Sequence, residues 1–186
     1  MPKNWLSKRM TDSKEIWITT GYELFSLFGF DGLNIEKLAK KVGISKSSFY
    51  HHFADTEVFI ELLLKHHIKQ SHIIAQKEIN AQNIDPQLIE ILLEHKTDLL
   101  FNRQLRFNRN QKLFAATLDE SNRIVGNNFV MVWVKDLNLA LNEKQLSGIF
   151  ELALENFYLQ INPQNLHYQW LSDYFMNLKR IAQSFG

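Results

Sequence analysis

The apolar positions of this 186-residue chain recur every three or four residues, which is the spacing of amphipathic helices. The pattern predicts a first helix from Asp12 to about Phe28, preceded by a loose arm over residues 1–10. Residues 129–134 are rich in strand-forming side chains, but no partner strand is evident, so they too are assigned to a helix. The chain is therefore predicted to be all-α.

Caps and helix breakers divide the remainder of the chain into further helices. Asp55 can cap a long helix that runs to about Gln82. Asp85 and Pro86, a cap followed by a proline, predict the start of a helix of about twenty residues. Further helices are predicted over residues 111–117, 122–140, 142–161 and 163 to nearly the C-terminus.

Residues 29–53 form the most informative pattern in the chain. Asn34 is a good N-cap for one short helix, and Gly43 stands where that helix must end and the chain must turn. Ser45 is placed to cap a second helix, from about Lys46 to His52. Two short helices around a glycine turn are typical of a helix-turn-helix, whose second helix enters the DNA major groove. A structural helical hairpin with a solvated polar face shares this pattern.

The second helix of this pattern has two different faces. Phe49 and Phe53 are four residues apart and are predicted to point into the core. The opposite face is polar, basic or aromatic, and we expect its serines to lie nearest to base edges and its tyrosine and histidine nearest to phosphates. The predicted DNA-binding residues are Lys46, Ser47, Ser48, Tyr50, His51, Asn34 and Thr56.

Over about its first third, the chain resembles the TetR family of transcriptional repressors. The matching residues are Leu24-Phe25, Gly29-Phe30, Ile35, Leu38-Ala39, Val42-Gly43-Ile44-Ser45, and Phe49-Tyr50-His51-His52-Phe53 followed by Glu57. The resemblance implies a helix-turn-helix DNA-binding domain over residues 1–55, with an N-terminal three-helix bundle. It also implies a helical effector-binding and dimerisation domain over residues 56–186.

Three positions depart from the pattern of that family. Gly21 stands where alanine is usual, which is expected to destabilise the first helix by up to about 1 kcal/mol. Ser47 and Ser48 replace the commoner Gly-Thr pair and keep small hydroxyl side chains. Thr56 replaces a lysine that the family is expected to place on a phosphate, so it can offer a hydroxyl hydrogen bond but no charge.

Composition and charge narrow the possible classes of protein. The net charge of +1 argues against a general polyanion binder, and the absence of cysteine excludes disulfides, thiolate metal sites and a catalytic thiol. Lys46 opens the second helix of the motif and is expected at DNA, whereas Lys37 and Lys40 are expected on a solvated face. Residues 1–10 carry three cations and form either a disordered tail or an arm that enters the minor groove.

No signal-peptide or membrane-spanning pattern is evident, so the cytoplasm is the expected compartment and no membrane partner is expected.

Enzymatic and metal-binding patterns are not evident. The seven histidines show no HExxH spacing, and the chain has neither a phosphate-binding glycine loop nor a Gly-x-Ser-x-Gly motif. No catalytic residues, metal ligands or cofactors are therefore predicted. Arg103, Arg106 and Arg109 recur every three residues, a row that is either solvated or able to meet an acidic ligand.

The central helices are rich in aromatic residues, which either fill the core or line a pocket for a hydrophobic effector. An anionic group on that effector would lie near Arg103 or Arg106. The predicted ligand-binding residues are Phe101, Arg103, Phe107, Phe114, Phe129, Trp133 and Tyr158.

The last two helices carry more apolar surface than a helix with one buried face needs. They are either core helices or, as the resemblance implies, a four-helix dimer interface. In the last helix, either the stripe through Trp170 and Tyr174 or the stripe through Leu171 and Phe175 could face the partner. The predicted interface residues are Phe150, Phe157, Trp170, Tyr174, Leu178 and Ile181.

These observations predict a homodimeric regulator that represses a palindromic operator in double-stranded DNA and is released by a small hydrophobic ligand. One alternative is a TetR-like DNA-binding protein whose C-terminal domain docks a protein partner and takes no effector. A second alternative is a helical enzyme that only resembles the family.

Overall fold

A computed structural model describes the backbone of residues 3–137 and 142–183. Side chains are described over residues 13–183, except at positions 127, 135, 137–141, 143, 146, 147 and 149. The helices are α1 (Lys3–Phe28), α2 (Ile35–Val42), α3 (Lys46–His52), α4 (Thr56–Ile79), α5 (Ile89–Glu94), α6 (Lys96–Phe107), α7 (Lys112–Leu137), α8 (Glu143–Gln160) and α9 (Tyr168–Gln183). A 3-10 turn spans Gly29–Leu33 and a π-helical turn spans Ile84–Leu88. The described residues contain no strand, which confirms the predicted all-α fold with an N-terminal helix-turn-helix and a helical C-terminal domain.

The chain divides into two compact units, residues 1–67 and residues 68–186, and the division falls within α4. The functional boundary that we place after residue 55 stays a prediction. Each unit has its own buried apolar residues and is described separately below.

Aromatic rings build the core of the N-terminal unit. Phe49 of α3 and Phe53, the residue that follows α3, are fully buried, as the sequence predicts. The Phe49 ring lies 5.4 Å from the ring of Trp17 on α1 and 5.1 Å from that of Phe59 on α4. These edge-to-face contacts add to the free energy of apolar burial. They attach α3 to α1 and α4 by its inner side.

The departure from the family pattern at Gly21 has a steric reason. A Cβ atom at this position would lie 2.4 Å from Cζ of Phe59. The Phe59 ring is buried against Phe49 and Phe53 and has little room to move. Gly21 thus makes room for an aromatic side chain, in addition to its expected effect on helix stability.

The first helix is longer than predicted. α1 begins at Lys3, so most of the predicted loose arm is helical and Asp12 lies inside the helix. The predicted helix start was wrong because a residue that can cap a helix can also lie inside one, and the residues before Asp12 continue the helix.

Two predicted breaks fall elsewhere in the C-terminal unit. The helices predicted over residues 111–117 and 122–140 are one continuous helix, α7, whose buried face runs on through Leu118 and Ser121. The single helix predicted after Pro86 is instead interrupted at His95, between α5 and α6. The strand-forming residues 129–134 are helical, as predicted.

Two predicted helix starts are also corrected. Asp85 does not cap a helix, because its carboxylate accepts hydrogen bonds from Ser172 at 2.6 Å and from Tyr168, and Asn83 caps the turn instead. The last helix does not begin after residue 163. The side chain of Asn162 accepts hydrogen bonds from two backbone amides two and three residues ahead, which closes a turn there, and α9 begins at Tyr168.

The core of the C-terminal unit joins residues from α5 to α9. Leu171 and Phe175 of α9 are buried in it, beside Trp133 of α7 and Phe157 and Tyr158 of α8. The stripe of α9 that contains Leu171 and Phe175 therefore belongs to the core of its own chain. The opposite side of α9 includes Ile181, of which 54% is exposed.

Gly21→Ala should lower the free energy of unfolding by about 1–3 kcal/mol, the usual cost of overpacking a filled core. Chemical denaturation of the purified protein would measure the change. Phe59→Leu should remove the obstacle, so the double variant should be more stable than the sum of the two single changes predicts.

Gly148→Ala is the matched control, since a Cβ atom there meets nothing within 4 Å and the residue is exposed on α8. It should leave stability unchanged or raise it. An equal loss of unfolding free energy in Gly21→Ala and Gly148→Ala would contradict the steric explanation.

Candidate DNA-binding surface and effector core

The turn between α2 and α3 has the predicted geometry. The Oδ1 atom of Asn34 accepts hydrogen bonds at 3.1 Å from the backbone amides of Glu36 and Lys37, which caps α2. Gly43 has a φ of 74°, in the left-handed region that glycine adopts at little steric cost. Its amide donates to the carbonyl of Ala39 at 2.9 Å and ends α2.

Ser45 occupies the N-cap position of α3 without capping it through its side chain. Its hydroxyl lies 2.9 Å from the hydroxyl of Ser47, and only its backbone carbonyl accepts from the amide of Ser48. The predicted side-chain cap is therefore wrong, because another serine hydroxyl two residues ahead competes for the same group.

The outer face of α3 presents the predicted residues to solvent. Lys46, Ser47, Tyr50 and His51 are exposed, and Ser48 is partly exposed. About half of the Tyr50 side chain is accessible, and its ring contacts the buried Phe49 edge-on at 5.4 Å. The helix thus combines a buried aromatic side with a solvated polar side.

Two of the predicted DNA-binding residues lie next to the helix rather than on it. Asn34 is exposed, but its Oδ1 atom is engaged by the α2 cap, so its Nδ2 group is the part it can offer to DNA. Thr56 is partly exposed at the first position of α4, beside Asp55, whose carboxylate accepts from the amide of Val58 at 2.8 Å. The Asp55 cap is therefore as predicted.

Lys46 has a partner of its own in the structure. Its Nζ lies 3.2 Å from a carboxylate oxygen of Glu36 on α2, and both side chains are largely exposed. An exposed pair of this kind contributes little to stability. It leaves Lys46 able to exchange Glu36 for another anion.

His52 joins α3 to α1 on the inner side. Its Nε2 atom lies 3.1 Å from the hydroxyl of Ser13. Partial burial, together with the nearby charges of His51 and Lys14, lowers the pKa of His52. The neutral ring is favoured, which suits a structural contact better than a phosphate contact.

The C-terminal unit brings together three of the predicted ligand-binding residues. Phe129, Trp133 and Tyr158 belong to one apolar cluster, and Phe129 packs beside Phe150 with ring centroids 5.5 Å apart. Phe101 and Phe114 are also buried.

Phe107 and Arg103 have a different environment. Phe107 is half exposed at the last position of α6, and the guanidinium of Arg103 lies 4.4 Å from the centre of its ring. Phe107 therefore covers Arg103 from the solvent side and does not line an enclosed pocket.

The expected site for an anionic ligand group is occupied by the protein itself. Arg106 is buried, forms an ion pair with Glu155 and donates to Asn122 at 3.2 Å. Glu155 also accepts from Arg109 at 3.3 Å. Since the charge of Arg106 is already balanced, a ligand carboxylate would have to displace Glu155.

A row of buried polar side chains on α6 and at its N-cap was not predicted. His95, Asp98, Asn102 and Arg106 recur every three or four residues, and each is at most 7% exposed. His95 Nδ1 lies 2.8 Å from Asp98 Oδ2, and Asn102 Nδ2 donates to the hydroxyl of Ser121 at 3.2 Å. The helical spacing of these four residues was visible in the sequence, but polar residues at that spacing usually mark a solvated face.

Glu78 of α4 is the most unusual group in this interior. It is 1% exposed, and neither carboxylate oxygen has a hydrogen-bond partner among the described residues. Burial raises the pKa of Glu78 to about 8. Burial also raises the pKa of Tyr158 to about 12; Arg106 opposes this shift, whereas Glu78 and Asp98 add to it. Glu78 and Tyr158 thus lie within electrostatic range of each other.

The predicted interface residues do not share one environment. Phe157 is 6% exposed and packs against the ring of Tyr174 at 5.4 Å, so it has little surface left for a partner. Tyr174 stacks on Trp170 at 5.3 Å and donates to the carbonyl of Ala153 at 2.9 Å. Phe150, Trp170, Tyr174 and Leu178 are partly exposed, and Ile181 is exposed.

Two wider features bear on the class of protein. No helix in the described part of the chain is both long and apolar enough to cross a membrane. Within the same residues, no group of three or more histidine or acidic side chains is arranged to hold a metal ion.

Comparison with known proteins places these features in a family. Residues 18–63, which contain the last part of α1, all of α2 and α3 and the start of α4, match the family model described as bacterial regulatory proteins, tetR family. A biofilm operon icaADBC HTH-type negative transcriptional regulator, IcaR of Staphylococcus aureus (strain Newman), is 26% identical over 179 residues, covering 93% of this chain and 87% of that protein. The HTH-type transcriptional repressor NemR of Escherichia coli (strain K12) is 34% identical over 61 residues, covering 33% of this chain and 31% of its own length.

The family match falls on the residues whose geometry makes the helix-turn-helix. The IcaR similarity extends through the helical C-terminal unit. Residues 18–63 of this chain therefore carry a helix-turn-helix like that of the tetR family of bacterial regulatory proteins, and over nearly its whole length the chain is similar to a transcriptional regulator.

Proposed function

We propose that this chain is a homodimeric repressor that binds a palindromic operator through α3 of each copy and is released by a small molecule held in its C-terminal unit. The observation that carries the proposal is the division of α3 into a buried aromatic side and a solvated polar side. Both relatives described above are named as negative regulators or repressors, which favours repression. A regulator of this kind acts on the chromosome, so its place in a bacterium is the cytoplasm.

The roles of the α3 residues follow from their positions. Ser47 and Ser48 lie in the first turn of the helix, where recognition helices contact base edges. Lys46, Tyr50 and His51 surround them and supply donors for phosphates. On binding, Lys46 exchanges its exposed partner Glu36 for a phosphate.

Two helices support the dimer. α8 and α9 carry exposed apolar side chains outside the core that they share: Leu152, Leu159, Met176 and Ile181. Of these, Leu152 is 74% exposed, the largest fraction among the exposed apolar residues of the described chain. An apolar surface of this kind is what an obligate dimer buries. Two copies joined in this way would present two recognition helices to successive major grooves, about 34–36 Å apart.

The C-terminal interior supports the effector role. Its mixture of aromatic rings with buried polar groups is typical of ligand sites, where a few polar atoms fix the orientation of an apolar molecule. A ligand that binds better to the conformation with misplaced recognition helices would weaken DNA binding by a coupling free energy of about 1–3 kcal/mol.

Replacing Lys46 and Tyr50 together with alanine should abolish specific operator binding, because both donors leave the exposed face of α3. An operator would first be selected from random DNA with the wild-type protein. Affinities would then be measured by fluorescence anisotropy over a series of salt concentrations. Lys46→Ala alone should reduce the salt slope by about two per dimer, one released counterion for each protomer.

Lys65→Ala is the matched control, since Lys65 is an exposed lysine of the same unit on α4, 4.0 Å from Glu61. It should leave the salt slope and the affinity unchanged. Wild-type affinity in the double variant would remove Lys46 and Tyr50 from the DNA interface.

Leu152→Glu should convert the dimer to monomers at micromolar concentration. The substitution places a charge in the apolar interface of α8 and α9 that dimerisation would bury. Multi-angle light scattering would measure the mass, and operator affinity should fall in parallel. Leu113→Glu, at an exposed apolar position in the first turn of α7, should remain dimeric. A monomeric wild-type protein would contradict the proposed assembly.

A further inference from the structure

The buried polar groups of the C-terminal unit are connected across three helices. Ser71 of α4 lies 2.9 Å from Ser121 of α7, which accepts from Asn102 of α6. Glu78 is two helical turns after Ser71, on the same face of α4. The face of α4 that carries Glu78 is therefore the one directed towards the polar row of α6.

Most charges in this interior are balanced by a neighbour. Asp98 is paired with His95, and Arg106 is paired with Glu155, which also holds Arg109. Glu78 is different, because neither of its oxygens has a partner in the described part of the chain. An isolated buried carboxylate is unfavourable in either protonation state, since even the neutral acid needs an acceptor for its proton.

The unsatisfied atoms near this row include more than the carboxylate. The Oδ1 atom of Asn102 and the Nε2 atom of His95 also lack partners among the described residues. The buried donors of this unit without partners include Nε1 of Trp133 and the Nε atoms of Arg103 and Arg106. Arg106 is paired with Glu155, and the partly exposed Arg103 places its guanidinium over the ring of Phe107. Glu78 is the buried acidic side chain whose two oxygens have no partner among the described residues.

We propose that the C-terminal unit binds an organic ammonium ion with an apolar body, and that Glu78 supplies its counter-charge. The ammonium N–H groups donate to the Glu78 carboxylate, and the apolar body lies among the aromatic side chains of the same core, which include Trp133 and Tyr158. The inference rests on the proposed role of this unit as the effector domain. It replaces the expected anionic ligand group near Arg106 with a cationic one near Glu78.

The ligand-free protein provides a first test. With its pKa raised to about 8, Glu78 contributes stability that is fully present below its unfolded pKa and is lost as the pH rises through 8. Tyr158 of α8 is within electrostatic range of Glu78, and Asp98 and Arg106 of α6 act on the same tyrosine. Relative to Glu78→Gln, the folding equilibrium constant of the wild type should fall roughly tenfold per pH unit between about pH 5 and 8. If the ratio of the two folding equilibrium constants did not change with pH, Glu78 would already be compensated in the folded protein, and the proposal would be overturned.

Three probes of similar shape and different charge test the ligand class: 2-phenylethylammonium, 2-phenylethanol and phenylacetate. Each would be titrated into the full-length protein at millimolar concentration, with melting temperature and tryptophan fluorescence as readouts. The ammonium ion should stabilise the wild type and the alcohol and carboxylate should not. Glu78→Gln, which keeps the shape of the side chain, should lose this stabilisation. Glu90→Gln, at an exposed glutamate of α5, should retain it.

The pH dependence of ligand binding separates a counter-ion from a merely structural residue. The ammonium ion binds the ionised form of Glu78, so its affinity should rise roughly tenfold per pH unit below pH 8 and then level off. Calorimetry at pH 7 in buffers of different ionisation enthalpy should show release of nearly one proton per bound ammonium. A site without Glu78 ionisation would show neither effect.

The outcomes distinguish this inference from the proposed function. Absence of ammonium binding, equal binding in Glu78→Gln, or preference for phenylacetate would each overturn the inference, while operator binding by α3 would stand. Glu78-dependent ammonium binding that leaves operator affinity unchanged would support the site and overturn the effector role of the C-terminal unit. Glu78-dependent binding that also weakens operator binding would support both.

Discussion

The aromatic packing beneath α3 is the contact on which DNA recognition depends. α3 has only seven residues, too few to be stable as an isolated helix, so tertiary contacts must hold it. Phe49 and Phe53 provide these contacts with Trp17 and Phe59, and Gly21 leaves room for the Phe59 ring. A small change in that packing would reorient every polar side chain on the outer face at once.

Local signals in the sequence predicted the parts of the fold that depend on a few consecutive residues. The cap at Asn34, the turn at Gly43 and the cap at Asp55 each close within four or five positions of the chain, and the structure shows all three. One prediction failed because the deciding partners are distant in sequence. Asp85 could have capped a helix, but it accepts hydrogen bonds from Tyr168 and Ser172, more than eighty positions away.

The interior of the C-terminal unit was only partly predictable for the same reason. An aromatic residue in a helix can be buried like Trp133 or half exposed like Phe107, and local spacing does not distinguish the two. The polar row of α6 becomes informative only when α4, α7 and α8 are known to enclose it. Glu78, on α4, had no feature in the sequence that separated it from the exposed glutamates of the same helix.

The buried carboxylate of Glu78 has a consequence for protein turnover. A buried carboxyl group without hydrogen-bond partners lowers the free energy of unfolding of the empty protein, and cellular proteases act on the unfolded fraction. A ligand that pairs with this group binds only the folded state, so it stabilises that state increasingly as its concentration rises. The molecule proposed to release this regulator from DNA would then also prolong its lifetime, so that a larger pool of protein would be ready to rebind when the molecule is exhausted.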